Sequence, residues 1–355
     1  MDLPTYSTLS EHVVRAFAPG RMNLIGEHTD YNDGLALPFA VTAGVTVTAT
    51  RLHGGDGDAF EAIAHDLGES DSFSRREPAP AEGWRAFVHG AVAELRALGY
   101  ELAPARIEIT GELPRGAGLS SSAALELSLC LALIELAGAQ PPETVELARL
   151  GQRIEHDWVG AQTGLLDQLA SLSGAAGQAV LIDFRTLELE PLPLELGDHT
   201  LVTLSSGEPH ANAASGYNRR REECAEAAHR MGVESLRDAL IQDLHMLPEV
   251  LARRARHVIS ENGRVLGAVT ALRRHDFAKL GQLLDRSHAS LRDDFEVSTP
   301  AIEETVATLE AAGAVGARVV GGGFGGNVLA VMPPGTVAPA GATVVSPGPG
   351  AHVLA

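Results

Sequence analysis

Residues 19–34 bring together side chains that can bind a small molecule rich in hydroxyl groups. Arg21, Glu27, His28 and Asp30 fall within ten residues, and glycines flank them. Carboxylates accept hydrogen bonds from sugar hydroxyls, whereas arginine and histidine donate to sugar oxygens. Because a charged group is costly to bury without a partner, this cluster between apolar stretches indicates a ligand site. For any one of these residues, a solvated turn is the alternative.

A second run has the composition of a phosphate-binding loop. It reads Gly116, Ala117, Gly118, Leu119, Ser120, Ser121, Ser122, Ala123. Glycines allow backbone N–H groups to approach a phosphate, and a helix N-terminus adds about half a positive charge. The serine hydroxyls can bind phosphate oxygens or Mg²⁺. The run therefore predicts phosphate binding, with a serine-capped helix entrance as the alternative.

The basic residues limit how the chain could bind a nucleotide. Lys279 is the only lysine, and all other cationic side chains of this type are arginines. Walker loops and protein kinases each need a lysine at a fixed position in their motifs. The sequence around Lys279 resembles neither setting, so ATP would have to be bound by another route.

Three further residues have an ordinary explanation when the sequence is taken alone. Glu155 lies near the end of a predicted helix, where a carboxylate is most often solvated. Asp167 could cap local backbone, and Trp84 could be a core residue. Their position relative to the motifs, discussed below, gives them a functional interpretation.

Periodicity and turn residues predict a mixed α/β arrangement that would position these groups. Near-alternating or apolar segments predict strands, and longer Leu- and Ala-rich segments predict helices. The predicted strands are residues 35–51, 106–110, 179–184, 199–204, 317–320 and 327–332. The predicted helices are residues 124–137 and 142–158, with mostly helical structure from 217 to 309. The Pro- and Gly-rich tail after residue 333 is predicted to be an edge strand or partly loose.

Length and charge restrict the class of protein. A chain of 355 residues predicts two domains, which we divide at the junction 192–198 into 1–195 and 196–355. The net charge of −19 argues against nonspecific nucleic-acid binding, which depends on phosphate neutralisation, but allows a local site for a nucleotide. No stretch is apolar enough to span a membrane, and the N-terminus lacks a secretory signal. Two distant cysteines, Cys130 and Cys224, favour the cytoplasm.

Taken together, the motifs resemble those of the galactokinases, within the galactokinase–homoserine kinase–mevalonate kinase–phosphomevalonate kinase (GHMP) superfamily. Residues 19–34 resemble the galactokinase signature, and the serine loop resembles the superfamily's second motif, which holds ATP phosphates without a lysine. Residues 321–326 resemble the third motif, a glycine turn close to the active site. The resemblance runs from about residue 15 to residue 332. It implies a two-domain GHMP kinase fold of class α/β (α+β), with a ribosomal-protein-S5-domain-2-like N-terminal domain, a ferredoxin-like C-terminal domain and the active site between them.

The resemblance also implies a reaction and a role for individual residues. The reaction would be transfer of the γ-phosphoryl group of MgATP to the anomeric hydroxyl of D-galactose, in a monomeric enzyme. Asp167 would be the base, assisted by Arg21, and Ser122 with Glu155 would hold Mg²⁺. The sugar would be bound by Glu27, His28, Asp30, Gly164, Asp167 and Tyr217. Residues 116–123 would hold the ATP phosphates, and Trp84 would flank the adenine.

Two alternatives stay open at this point. One is another small-molecule kinase of the same superfamily, acting on N-acetylgalactosamine, arabinose or mevalonate; the run Glu27-His28-Thr29-Asp30-Tyr31-Asn32 favours galactose. The other is a sensor that binds galactose and ATP without catalysing transfer. Sensors of this type resemble kinases with residues missing from the serine loop, which is intact here.

Overall fold

The computed structural model describes residues 12–52, 58–113, 118–208 and 213–355. The strands in these ranges, numbered β1 to β13 in chain order, are Val13–Asn23, Leu35–Ala36, Pro38–Arg51, Ala59–Ala64, Glu69–Ser74, Ala105–Gly111, Gln178–Asp183, Glu188–Pro193, Thr200–Ser205, Gly316–Val319, Asn327–Met332, Thr343–Val345 and His352–Leu354. The α-helices, α1 to α8, are Trp84–Ala97, Ser121–Leu136, Thr144–Arg153, Leu166–Leu172, Ala213–Met231, Glu249–Arg273, Phe277–Asp293 and Pro300–Ala311. The fold is therefore mixed α/β.

The first half is built on a six-stranded sheet in the order β13-β1-β3-β6-β4-β5. The long strands β1 and β3 pair antiparallel along most of their length, and β4 runs parallel to β6. Alternate apolar residues of these strands pack against α1 and α2 in one core. Helix α2 is buried on nearly all sides, which explains why its sequence is apolar without a polar face.

The second half is built on a four-stranded sheet in the order β10-β11-β9-β12, with α5 to α8 packed against it. A separate core joins the two halves: Met22 and Leu24 of the N-terminal segment pack with residues of α6, α7 and β11. A third, three-stranded sheet has the order β2-β7-β8. The segment between β1 and β2, which carries Glu27 to Asp30, is therefore held between the two halves.

Most predicted elements lie within about two residues of the observed ones. The predicted strand 35–51 is interrupted at Leu37, which separates β2 from β3. The predicted helix 142–158 begins at Thr144, and its last part, Ile154–Val159, is a π-helix that ends at Gly160 with φ +82°. π-Helical turns are frequent at functional sites, and this one contains Glu155.

The predicted domain boundary falls between β8 and β9, before the first strand of the four-stranded sheet. The last strand, β13, nevertheless returns to the first half and pairs with β1 from Arg15 to Phe17. The division at residue 195 stays a prediction, and the tail after Pro333 includes two short strands, β12 and β13. Within the described ranges, no helix has the length and apolar character needed to cross a bilayer.

Candidate active site

A cavity of about 520 Å³ lies where the two halves meet. Its lining comes from the segment after β1, from the loop before α2, from residues 159–167, from the start of α5 and from the glycine turn at 321–322. The volume is in the usual range for a small-molecule site, and its walls are rich in polar groups. Segments that are far apart in the sequence therefore line the same cavity.

Arg21 and Asp167 form an ion pair inside this cavity. The Arg21 Nε atom donates to Asp167 Oδ1 at 2.7 Å, and Arg21 Nη2 lies 2.5 Å from the same oxygen. Arg21 Nη1 donates to the carbonyl oxygen of Gly118 at 2.9 Å. Although burial opposes its charge, the carboxylates of Asp167 and Glu27 raise the pKa of Arg21. The pair therefore links β1, the phosphate loop and α4 at one point.

The entrance to α2 is fixed by an unusual backbone conformation. Ser120 has φ +59°, in the left-handed region that costs energy for a residue with a side chain. Its Oγ atom donates to Asp167 Oδ2 at 2.5 Å, which holds this conformation. Position 20 requires glycine, because a Cβ atom there would lie 2.4 Å from the carbonyl oxygen of Leu119. This close approach lets the Arg21 backbone N–H donate to the Leu119 carbonyl at 3.1 Å.

Glu27 lines the cavity and is held from its far side by the C-terminal half. Its Oε1 atom accepts a hydrogen bond from the Gly321 N–H at 2.8 Å and lies 3.3 Å from Arg318 Nη2. Arg318 is fully buried, and its Nη1 atom donates to the Asn23 carbonyl at 2.8 Å. A buried arginine requires such partners. The sugar-signature carboxylate is thus positioned by β10 and by the glycine turn after it.

His28 is a neutral side chain in this site. Burial lowers the pKa of His28 to about 3. Its Nδ1 atom lies 2.8 Å from the Tyr31 hydroxyl, and its ring packs at 4.7 Å from Phe295 and 5.3 Å from Tyr217. Its backbone has φ +60°. A neutral, fixed imidazole can exchange hydrogen bonds with a hydroxyl without changing charge near neutral pH.

Asp30 has a titration shifted into the neutral range. Burial, followed by the nearby carboxylate of Asp167, raises the pKa of Asp30 to about 7. Gly164 leaves the space that this carboxylate occupies, because a Cβ atom on Gly164 would lie 1.8 Å from Asp30 Oδ2. Gly164 therefore acts through Asp30 as well as lining the cavity itself.

Tyr217 also lines the cavity, from the second turn of α5. Its ring packs edge-on against Tyr31 at 5.4 Å. Burial raises the pKa of Tyr217 well above its usual value, so the phenol stays protonated and can donate. Every sugar-binding residue predicted from the sequence is thus brought to one cavity wall or another.

Glu155 lies directly behind the wall of the cavity. Its Oε2 atom accepts hydrogen bonds from Thr163 Oγ1 at 2.5 Å and from Gln168 Nε2 at 3.0 Å. Thr163 lines the cavity, and Ser122 also hydrogen-bonds to Glu155. Burial raises the pKa of Glu155, and this effect exceeds the opposing hydrogen bonds.

A second buried carboxyl group stands beside Glu155. The Gln168 Nε2 atom bridges to Glu126 Oε1 at 2.8 Å, while Glu126 Oε2 is buried with no hydrogen-bond partner among the described residues. Burial, followed by the charge of Glu155, raises the pKa of Glu126 well above its usual value. Carboxyl and hydroxyl oxygens are the hard donors that Mg²⁺ prefers, so Glu155 and Ser122 fit this ion. The described ranges contain no cluster of three or more His, Cys, Asp or Glu side chains that could hold a metal ion.

The predicted ATP-binding residues are distributed unevenly. Residues 118–122 line the cavity, and Ala123 is buried beneath it in α2. Gly116 and Ala117 lie outside the described residues. Trp84 begins α1 away from the cavity lining, where its Nε1 atom donates to Glu69 Oε2 at 2.9 Å. Its contact with adenine stays a prediction.

Two ionisable residues buried behind the sugar signature, His257 and Glu261, were not predicted from the sequence. His257 Nε2 lies 3.1 Å from the Glu27 carbonyl oxygen, and Glu261 Oε1 accepts from the Gly26 N–H at 3.0 Å. Burial lowers the pKa of His257 to about 4. The two residues are four apart in α6, so they share one helix face, and that spacing was a usable signal. Glu126 lies four residues after Ser122 in α2, so these two residues also share one helix face.

Comparisons with known proteins identify the class of protein to which this chain belongs. The model described as GHMP kinases N terminal domain matches residues 86–175, and GHMP kinases C terminal matches residues 268–346. A mevalonate kinase structure from Methanococcus jannaschii superimposes with a TM-score of 0.64 at 16% identity, covering 96% of this chain and 100% of its own, which shows the shared fold. The protein is a two-domain GHMP kinase, and the predicted fold class is confirmed.

The particular family follows from closer similarities. The model described as galactokinase galactose-binding signature matches residues 5–51. A galactokinase of Thermotoga neapolitana is 40% identical over 91% of this chain and 90% of its own, and one of Mycobacterium tuberculosis is 43% identical over 89% and 88%. The structure of Lactococcus lactis galactokinase complexed with galactose superimposes with a TM-score of 0.87 at 33% identity, covering 97% of this chain and 95% of its own. The chain belongs to the galactokinase family.

Proposed function

We propose that the chain is a galactokinase that transfers the γ-phosphoryl group of MgATP directly to the anomeric hydroxyl of D-galactose. The product is α-D-galactose 1-phosphate, and the reaction is the first committed step of galactose catabolism. The observation that carries this proposal is the Arg21–Asp167 pair, which lies in one cavity with both the sugar signature and the serine loop. Galactokinase relatives across nearly the whole chain support the substrate assignment.

Asp167 is the proposed base. As the bond between the galactose C1 oxygen and the γ-phosphorus forms, the bond to the leaving ADP oxygen breaks and the hydroxyl proton passes to the Asp167 carboxylate. Phosphoryl transfer depends mainly on positioning and electrostatics, so a proton acceptor is needed only late in the step. Arg21 orients the carboxylate through two short contacts and offsets charge on the transferring group. Ser120 holds the other carboxylate oxygen.

The sugar-binding group comprises Glu27, His28, Asp30, Gly164 and Tyr217, together with Asp167. Carboxylates accept from sugar hydroxyls, whereas the Tyr217 phenol donates to a sugar oxygen. Rigid anchoring of Glu27 by Gly321 and Arg318 favours one orientation of the sugar, because a fixed site loses little entropy on binding.

Ser122 and Glu155 are the residues proposed to hold Mg²⁺ with the ATP phosphates. When bound, the ion would neutralise charge on the phosphate oxygens. Burial raises the pKa of Glu155, and Glu126 has an oxygen with no hydrogen-bond partner among the described residues, so a cation here would stabilise the ionised carboxylates. Thr163 and Gln168 donate to the Glu155 carboxylate and keep it beside the cavity wall.

The proposed partners are D-galactose and MgATP, in a monomeric protein of the cytoplasm. Both cysteines are buried and unpaired, which supports a reducing compartment. The charge of −19 argues against a nucleic-acid partner.

A panel of acceptors tests the proposed function. D-Galactose, N-acetylgalactosamine, arabinose and mevalonate are each incubated with MgATP, and ADP release is measured. We expect the highest kcat/KM on galactose, with phosphate attached at C1 by NMR. Preferred turnover of another acceptor would indicate a different kinase of the superfamily, and tight binding of galactose and ATP without ADP release would indicate a sensor.

The raised pKa of Asp30 predicts a pH-dependent galactose affinity. Since the pKa of Asp30 is about 7, the group is mostly protonated at pH 6 and mostly ionised at pH 8. An ionised carboxylate accepts hydroxyl hydrogen bonds more strongly, so galactose affinity should rise roughly tenfold over this interval. His28, with a pKa of about 3, stays neutral throughout.

Calorimetric titration with galactose in the absence of ATP measures this effect. The Asp30→Asn variant should lose the pH dependence, whereas Asp33→Asn, outside the cavity lining, should keep it. An affinity that stays flat from pH 6 to pH 8 would show that ionisation of Asp30 does not affect binding, and an affinity that falls would show that Asp30 binds the sugar as a neutral acid.

A further inference from the structure

Two separate contacts join strand β1 to helix α4. The first is the Arg21–Asp167 pair. The second is a hydrogen bond from Ser171 Oγ to the Pro19 carbonyl oxygen at 2.8 Å, with Ser171 fully buried. Ser171 lies one helical turn after Asp167, and Pro19 lies two residues before Arg21. The second contact therefore fixes the same two elements close to the first.

The C-terminal segment, residues 347–354, binds both of these elements. The Ala351 N–H donates to the Ser171 carbonyl oxygen at 2.8 Å. The following residues form β13, which pairs with β1 between Arg15 and Phe17. The same segment also connects to β3, where the Gly348 N–H donates to the Ala40 carbonyl oxygen at 2.8 Å.

The packing of this segment on α4 leaves no spare space. A Cβ atom on Gly350 would lie 2.7 Å from the carbonyl oxygens of both Leu172 and Gly174. A Cβ atom on Gly174 would lie 2.3 Å from Ala40 Cβ. Backbone therefore meets backbone at the end of α4, and a displacement of the C-terminal segment must displace the helix.

Helix α4 needs such support. It spans seven residues, Leu166–Leu172, and a helix this short is not stable without tertiary contacts. Asp167 lies in its first turn, so any tilt of α4 moves the carboxylate. A misplacement of about 1 Å can lower a rate by roughly 10²-fold.

We propose that Ser171, held in place by the C-terminal segment, is a positioning residue that sets the distance between Asp167 and the reacting hydroxyl. This inference rests on the role assigned to Asp167 under the proposed function. Ser171 does not line the cavity, so it acts through β1 and α4.

The Ser171→Ala variant tests the proposal, with Ser173→Ala as its matched control. The alanine leaves the Pro19 carbonyl without its donor, whereas Ser173 Oγ has no hydrogen-bond partner among the described residues. We expect kcat to fall by about 10-fold to 100-fold in Ser171→Ala, with the galactose Kd from calorimetry within about twofold of the parent. Ser173→Ala should change neither. An unchanged kcat in Ser171→Ala would overturn the proposal, as would an equal fall in both variants.

A second pair of variants examines the C-terminal segment. Gly350→Ala should lower kcat in the same way, whereas Val353→Ala shortens an exposed side chain of β13 and should not. Hydrogen–deuterium exchange of residues 164–173 should quicken in Ser171→Ala and Gly350→Ala and stay unchanged in Val353→Ala. Unchanged exchange in both Ser171→Ala and Gly350→Ala would overturn the proposal.

The exchange measurement also separates this inference from the catalytic role of Asp167. If an Asp167→Asn enzyme kept its turnover, the base assignment would fail, and with it the effect on kcat proposed for Ser171. If Asp167→Asn were inactive while Ser171→Ala exchanged and turned over like the parent, the positioning role alone would fail.

Discussion

The Asp167→Asn enzyme is expected to bind galactose nearly as well as the parent and to turn over roughly 10²- to 10⁴-fold more slowly. The amide keeps the shape of the side chain: its oxygen can still accept from Arg21 Nε, and its NH₂ group can donate to Ser120 Oγ once that hydroxyl rotates. It cannot take up the hydroxyl proton, because its nitrogen already carries two and its oxygen is weakly basic. Single-turnover measurements of ADP release, with calorimetric titration of galactose, give the two quantities.

The Asp157→Asn variant is the matched control for this experiment. Asp157 is exposed in the π-helix and does not line the cavity, so the same chemical change there should leave kcat unaltered. Near-parental turnover of Asp167→Asn would show that this carboxylate is not the base. A loss of galactose binding equal to the loss of kcat would show that its part is in binding the sugar.

The Gly164→Ala enzyme should lose roughly 10-fold to 100-fold in galactose affinity, the scale expected for a lost hydrogen bond to a charged group. The new Cβ atom would lie 1.8 Å from Asp30 Oδ2 and 2.6 Å from Asp30 Cγ, so the carboxylate must leave its position. The overlapping atoms belong to the end of a side chain, so the cost falls on the site and little on folding. Calorimetry with galactose and a thermal melt separate these two effects.

Gly263→Ala provides the control for adding a methyl group to the chain. A Cβ atom on Gly263 meets no heavy atom within 4 Å, and the residue lies inside α6. Alanine is the better helix former there by about 1 kcal/mol, so the melting temperature should rise slightly and galactose affinity should stay constant. Parental galactose affinity in Gly164→Ala would mean that the Asp30 position is not needed for the sugar.

The local parts of the site could be predicted from the sequence because they depend on neighbouring residues. The serine loop lies between a strand and a helix in the sequence, and its described residues 118–120 lead directly into α2. The sugar signature is one continuous run, so its residues had to be close together. Gly164 and Asp167 are separated by three positions and share the wall of the same cavity.

The parts that could not be predicted are the pairings between distant segments. Ser120 was predicted to bind phosphate, and its hydroxyl donates to Asp167, 47 residues away. Arg318 is an isolated charge in an apolar strand, and only the folded chain shows that it is buried against Glu27. The return of β13 to β1 depends on the global topology, which no local pattern encodes.

The proposed reaction requires C1 of galactose to face the ATP phosphates, and paramagnetic relaxation measures this orientation. Mn²⁺ replaces Mg²⁺ together with a nonhydrolysable ATP analogue, and relaxation of each carbon of uniformly ¹³C-labelled galactose is recorded on the parent enzyme. With the metal held by Ser122 and Glu155, we expect C1 to relax fastest. The Glu155→Gln variant should weaken the paramagnetic relaxation of all carbons together. Fastest relaxation at C4 or C6 would place the wrong end of the sugar at the phosphates and contradict the account.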